Sequence, residues 1–170
     1  MYKKENVTAV ILAGGRATRM GGQDKGLLNY AGRTFVEHIA ASLAPDVSNV
    51  VINANRNLDS YEKFGCNVVV DTLKDFQGPL AGMYAGLCAV ESDWIVTAPC
   101  DGPFVATGYV TQMLEAAKKS SSKLAVASDG EWLQPVYALI HRDLDQSLRQ
   151  FLDGGERKID RWYNLVGSPK

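Results

Sequence analysis

The run VTAVILA at 7–13 is almost wholly apolar, rich in β-branched residues, and shows no alternation of apolar and polar positions. In a half-exposed strand every second side chain would meet water, so a strand written this way is covered on both faces. The pattern recurs at VSNVVINAN (47–55), CNVVVD (66–71), DWIVTAPCD (93–101), KLAVASD (123–129) and QPVYALIH (134–141). Between these runs lie segments of helical spacing. TFVEHIAASLA (34–44) puts Phe35, Val36, Ile39, Ala40 and Leu43 on one face, and AGMYAGLCAVE (81–91) and TGYVTQMLEAAKKS (107–120) read the same way. Buried strands alternating with helices predict an α/β chain: a single Rossmann-like, three-layer α/β/α domain over 1–170, its sheet mostly parallel. Pro135 cannot donate to a ladder, so the last strand is expected at an edge or antiparallel, near the C-terminus.

Composition narrows the function classes. The chain has 170 residues and a formal net charge of −1, which argues against a general nucleic-acid binder; any anion site must be local. No apolar run approaches the roughly 20 residues that cross a bilayer. The basic start MYKKEN leads into a short apolar run that ends in glycines, which reads as a strand rather than a signal peptide. Cys66, Cys88 and Cys100 have neither CxxC pairing nor metal-ligand spacing. They are expected as buried free thiols in a reducing cytoplasm. His38 and His141 are isolated, and Trp94, Trp132 and Trp162 read as packing residues, with Trp132 partly exposed in a DGEW turn.

Ligands of open α/β sheets bind at the carboxyl ends of the strands. There the sequence turns polar each time: NANRN follows the second strand, DTLKDFQGPLAG the third, PCDGPF the fourth. After the first comes LAGGRATRMGGQDKGLL (12–28). It contains neither G-x-x-x-x-G-K-[ST] nor G-x-G-x-x-G, so it is another kind of nucleotide loop or a flexible turn. Arg16, Arg19 and Lys25 fall within ten residues, with only Asp24 opposing them. Such a cluster is unfavourable unless an anion sits among its members.

LAGGRATRMGGQDKGLL closely resembles the signature loop of nucleotidyltransferases of the nucleotide-diphospho-sugar type, L-A-G-G-x-x-x-R-M-G-x-D-K with one extra glycine. Its paired glycines before xDKGLL look most like the molybdenum cofactor guanylyltransferases. VVINANR (50–56), DTLKDFQGPLAGM (71–83), PCDGPF (99–104), QPVYALI (134–140) and GGERKI (154–159) resemble further blocks of that family, in family order. The resemblance implies a Mg²⁺-dependent, cytoplasmic, monomeric enzyme. It would transfer GMP from GTP to the terminal phosphate of molybdopterin, release pyrophosphate, and meet other cofactor-synthesis proteins or target molybdoenzymes. It implies no nucleic acid and no membrane. A relative using CTP or a sugar-phosphate acceptor, and a non-catalytic GTP-binding adaptor, are the competing readings.

Both reactants are anions, so cations and a metal should supply most of the catalysis. Lys25 is a flexible point charge suited to a triphosphate, and Arg19 a planar clamp; Arg19 could equally pair with Asp24. Asp101, where a buried strand emerges, offers Mg²⁺ a hard oxygen, or else caps the turn before GPF. By resemblance the nucleotide is lined by Leu12, Ala13, Gly14 and Gly15, by Asn53 and Asp71, and by Gly78, Pro79 and Leu80. Asn55 is as amide-bearing as Asn53, and only the resemblance prefers the latter. Gly78 and Pro79 also suit a turn and a first helical position. For the acceptor the candidates are Gly22, Gly82, Arg157 and Lys158; the last two fit a solvated helix end equally well. Two departures stand out. Lys158 replaces the arginine usual there, and the chain ends at WYNLVGSPK, before the family's N-x-N-T-P strand and final helix.

Overall fold

The computed structural model describes residues 3–15, 23–73 and 78–167. Its main sheet is built from β1 (Val7–Leu12), β4 (Asn49–Asn53), β5 (Asn67–Val69), β6 (Trp94–Pro99), β7 (Leu124–Ser128) and β8 (Leu133–His141). A two-stranded hairpin, β2 (Asn29–Tyr30) and β3 (Arg33–Thr34), stands apart. The main order is β5-β4-β1-β6-β8-β7. β1, β4, β5 and β6 pair in parallel, whereas β8 pairs antiparallel with both β6 and β7. The α/β architecture with one antiparallel strand near the C-terminus agrees with the sequence.

Two apolar layers fill the space between sheet and helices. Val7, Ala9 and Ile11 of β1 face α1 (Phe35–Leu43), α2 (Leu58–Glu62) and α4 (Tyr109–Ser120). Val10 and Leu12 face α3 (Pro79–Ala89), α5 (Asp145–Asp153) and α6 (Ile159–Val166). The unbroken apolar run of β1 is thus divided by strand periodicity between two cores. Thr34 caps α1, its hydroxyl accepting from the Glu37 amide while the Glu37 carboxylate accepts from the Thr34 amide at 2.7 Å. That reciprocal pair fixes where the helix begins.

α3 is apolar on nearly every side, as expected of a helix lodged between the sheet and α5. Gly86 lets it settle on β1, since a Cβ there would lie 2.9 Å from Val10. Gly78, at φ 79°, turns the chain before Pro79 opens the first turn.

Pro135 does not sit at an edge: β8 runs inside the sheet, between β6 and β7. Val126 pairs with Ala138 but Ala127 pairs with Gln134, so residues 135–137 bulge out of the ladder. The bulge gives Pro135 a place without a ladder amide. The Thr97 hydroxyl takes over part of the lost pairing, donating to Val136 O at 2.7 Å and accepting from the Ala138 amide at 3.1 Å. The cysteines depart from expectation: Cys88 is exposed, and Cys66 and Cys100 are half-buried rather than buried. Trp132 is exposed in its turn and Trp162 is fully buried, as the sequence suggested. Among the described residues no helix is long and apolar enough to cross a membrane.

Candidate active site

The ends of β1, β4, β5 and β6 converge on a cleft of about 380 Å³, a size suited to a small ligand. The cleft is lined by Leu12, Gly14 and Gly15 after β1, by Asn53 and Asp71, by Gly78 and Pro79 at the start of α3, and by Pro99 and Val136. Val136 reaches the cleft because the bulge in β8 carries it there, a contribution that the sequence pattern did not signal.

Part of the lining is a lattice of amides around one carboxylate. Asn53 Nδ2 donates to Asp71 Oδ1 at 2.8 Å, and Asn55 Nδ2 donates to Asp71 Oδ2 at 3.0 Å. Asn55 Nδ2 also donates to Gly14 O at 3.0 Å, and Asn55 Oδ1 accepts from the Asp71 amide at 2.8 Å. A single asparagine thereby ties the glycine turn after β1 to the loop after β5. The sequence left the choice between Asn53 and Asn55 to resemblance, and the structure gives the two different places. Asn53 lines the cleft, and Asn55 braces what lines it.

Close approach explains two glycines. A Cβ on Gly14 would stand 2.8 Å from both Asn53 Oδ1 and Asn55 Nδ2. One on Gly82 would stand 2.4 Å from Asn53 Oδ1 and 2.9 Å from Leu12 Cδ2. Gly82, expected on the acceptor side, is instead buried in α3 against the back of Asn53. Leu80 is fully buried in the core, so its side chain lies beneath the cleft rather than in it. Ala13 is also buried, with its amide bonded to Asn53 O at 2.8 Å.

The charged residues behave differently. Asp101 lies just past β6, exposed, and among the described residues no hydrogen bond or ion pair holds its carboxylate. It does not cap the turn before GPF. Lys25 opens a short 3₁₀ turn (Lys25–Leu27) and is likewise exposed. This turn packs against the end of β6. The Cys100 thiol is pushed up to about 12, first by burial and then by the negative charges of Asp24 and Asp101, with the Gly26 backbone acting in the opposite sense.

Asp24 has other partners among the described residues. Its side chain is only 6% exposed, and Tyr61 Oη, the Gly26 amide and Asn57 Nδ2 all donate to it. Arg56 Nε lies 4.0 Å from Asp24 Oδ2, buried and without a hydrogen-bond partner. Arg19 and Gly22 lie outside the described residues. Arg157 donates to Leu152 O at 2.8 Å and to Glu156 O at 2.6 Å, while Lys158 is exposed ahead of α6. Among the described residues, Lys25, Asp101, Arg157 and Lys158 all lie outside the cleft lining. No group of three His, Cys, Asp or Glu side chains among the described residues could hold a metal by itself. A metal here would depend on oxygens brought by the ligand, which suits the single free carboxylate of Asp101.

A cleft at the carboxyl ends of a mostly parallel sheet, with one strand reversed, places the chain among the nucleotidyltransferase folds. Over 95% of its length it superposes on 80% of molybdopterin-guanine dinucleotide biosynthesis protein A from Archaeoglobus fulgidus, with TM-score 0.76 and 21% identity. It also superposes on CMP:2-keto-3-deoxy-manno-octonic acid synthetase solved with CTP, with TM-score 0.74 and 15% identity, over 96% of this chain and 87% of that one. In sequence, residues 9–166 match the MobA-like NTP transferase domain, and the chain belongs to that family. It is 46% identical over 157 residues to the molybdenum cofactor guanylyltransferase of Shewanella baltica strain OS185, covering 92% of this chain and 80% of that protein. The enzyme of the same name from Shewanella sp. strain MR-4 gives the same identity and coverage.

Proposed function

We propose that this chain transfers GMP from GTP to the terminal phosphate of molybdopterin in the cytoplasm, forming the guanine dinucleotide form of the cofactor and releasing pyrophosphate. The observation that carries this reading is the 46% identity to a molybdenum cofactor guanylyltransferase over 92% of the chain, beside a family match over 9–166 that takes in every strand end lining the cleft. In this reading a phosphate oxygen of the acceptor attacks the α-phosphorus of GTP. The bond from that phosphorus to the β-phosphate bridging oxygen breaks, and the electron pair leaves with pyrophosphate. The nucleophile is already ionised, so no strong general base is needed.

The nucleoside occupies the braced cleft. Asp71, Asn53 and the turn at Gly78 offer acceptors and donors for the base and ribose, and the Leu12–Gly15 turn brings backbone close to the nucleotide. Lys25 and Arg19 take the phosphates, Lys25 as an ammonium free to follow the moving charge. Asp101 would hold Mg²⁺, which when bound would offset charge on the phosphates and the leaving group. Gly22, Arg157 and Lys158 stay with the acceptor side as the remaining cationic and glycine candidates. The test is pyrophosphate release with a molybdopterin acceptor, run with GTP and with CTP, with and without Mg²⁺. Release with GTP and Mg²⁺ alone is expected; release with CTP alone, or binding of GTP without any turnover, would overturn the reading.

A further inference from the structure

Lys25 follows Asp24 directly, and a carboxylate beside a phosphate-binding ammonium should weaken it, by pairing with it or by repelling the same phosphates. The structure removes that conflict. Tyr61 Oη and the Gly26 amide take Asp24 Oδ1, Asn57 Nδ2 takes Oδ2, and the Arg56 guanidinium stands 4.0 Å away without bonding. The carboxylate is turned inward, while Lys25, its neighbour in the chain, is left exposed. Tyr61 reaches Asp24 from α2, fully buried, across 37 residues of chain.

Packing makes the arrangement specific. A Cβ on Gly26 would lie 2.6 Å from Tyr61 Oη and 2.8 Å from Val36 Cγ2, so glycine there admits the phenol to the carboxylate. Asn57 adopts the left-handed conformation at φ 53°, which an asparagine tolerates better than most residues and which opens α2. A buried aspartate needs both donors and a nearby cation. Arg56 supplies the cation without occupying either oxygen, consistent with a field role rather than a clamp.

We propose that Tyr61 and Asn57 are positioning residues for Lys25: by holding the Asp24 carboxylate inward, they keep the full charge of Lys25 available to the triphosphate of GTP. The proposal rests on the reading of the cleft as a GTP site.

The experiment is calorimetric titration of the full chain with GTP and Mg²⁺ at low and moderate salt, for the wild type and for Tyr61→Phe, Asp24→Asn, and the two combined. Tyr61→Phe should weaken GTP about tenfold and flatten the salt dependence, because a released carboxylate cancels one phosphate-facing charge. The double variant, whose residue 24 cannot ionise, should recover to within about twofold of the wild type and regain its salt dependence. A lost packing contact would not be restored by a change at residue 24. Asn57→Gly, which keeps the φ 53° backbone open, gives a second variant should Tyr61→Phe fold poorly. It should show the same pair of changes and the same rescue. If Tyr61→Phe binds GTP as the wild type does, or Asp24→Asn does not rescue it, the positioning role is wrong while the GTP site stands. If the wild type itself does not bind GTP, the function proposed above fails, and this role with it.

Discussion

The strand-end surface has two halves built on opposite principles: the cleft, and the charged loops at Lys25 and Asp101 that lie outside its lining. In the half formed by β1, β4 and β5, Asp71 is gripped by Asn53 and Asn55, and Gly14 O is pinned by Asn55. Its polar groups are braced before any ligand arrives. In the half formed by the Lys25 turn and the end of β6, Lys25 and Asp101 are exposed and make no such bonds among the described residues. The braced half suits discrimination, because a fixed donor and acceptor array is left unsatisfied by the wrong base. The open half suits charge that changes place during reaction, where a side chain already paired would have to break its pair first.

Four measurements would break or sharpen this contrast. Asp101→Ala should have the largest effect, a fall in transfer rate of about a thousandfold with metal-free GTP affinity kept within about twofold. An active Asp101→Ala enzyme would leave the open half without a catalytic role. Gly82→Ala attacks the braced half from behind, since its Cβ would press on Asn53 and Leu12. Thermal or urea unfolding should show a loss of about 1–3 kcal/mol, and GTP binding should weaken as Asn53 is displaced. Asn55→Ala removes the tie itself and should cost about tenfold in GTP affinity, with the Mg²⁺ dependence of turnover unchanged. A change in Mg²⁺ dependence would mean that the halves are not separate.

The smallest effect concerns Cys100, which sits between the Lys25 turn and Asp101. Burial disfavours its thiolate, so with the thiol near 12 its alkylation at pH 8 should run about a thousandfold slower than that of a free cysteine in solution, and exposed Cys88 should label first. The rate should climb about tenfold per pH unit, as the thiolate fraction does. Peptide mass spectrometry reads both sites at once, and fast labelling of Cys100 would show that the turn does not stay packed on β6.

Much of the fold was legible because strand and helix periods are local. All six strands of the main sheet, the first long helix, α3 and α4 follow from apolar spacing alone. α5 and α6 were not read, although Leu144, Leu148 and Leu152 stand four residues apart and Trp162–Tyr163 fill one face; their polar remainder resembles loop. Pro135 points to an edge or an antiparallel strand, and the second holds; the bulge that accommodates it is a property of two strands and is not legible in one. In the candidate site, residue types at strand ends were visible, whereas their bonding was not. Nothing local in YEKF announces that Tyr61 grips Asp24, nor does Gly82 announce that it makes room for Asn53. Those contacts span 37 and 29 residues, and only folding brings them together.

The place of β8 between β6 and β7 bears on how the molecule is assembled during synthesis. β6 pairs with β1 on one side as soon as both have emerged, but its other neighbour is made about forty residues later. During that interval the strand leading to Asp101 has one bare flank. β7 cannot close it, because β7 pairs only with β8. The late hairpin must dock as a unit, and its arrival brings Val136 to the cleft, with Tyr163 holding Pro135 O behind it. A nascent chain stalled before residue 133 would carry nearly every nucleotide-facing residue and still expose a raw sheet margin beside them, so the ribosome-bound intermediate most in need of a chaperone is the one with an almost finished pocket.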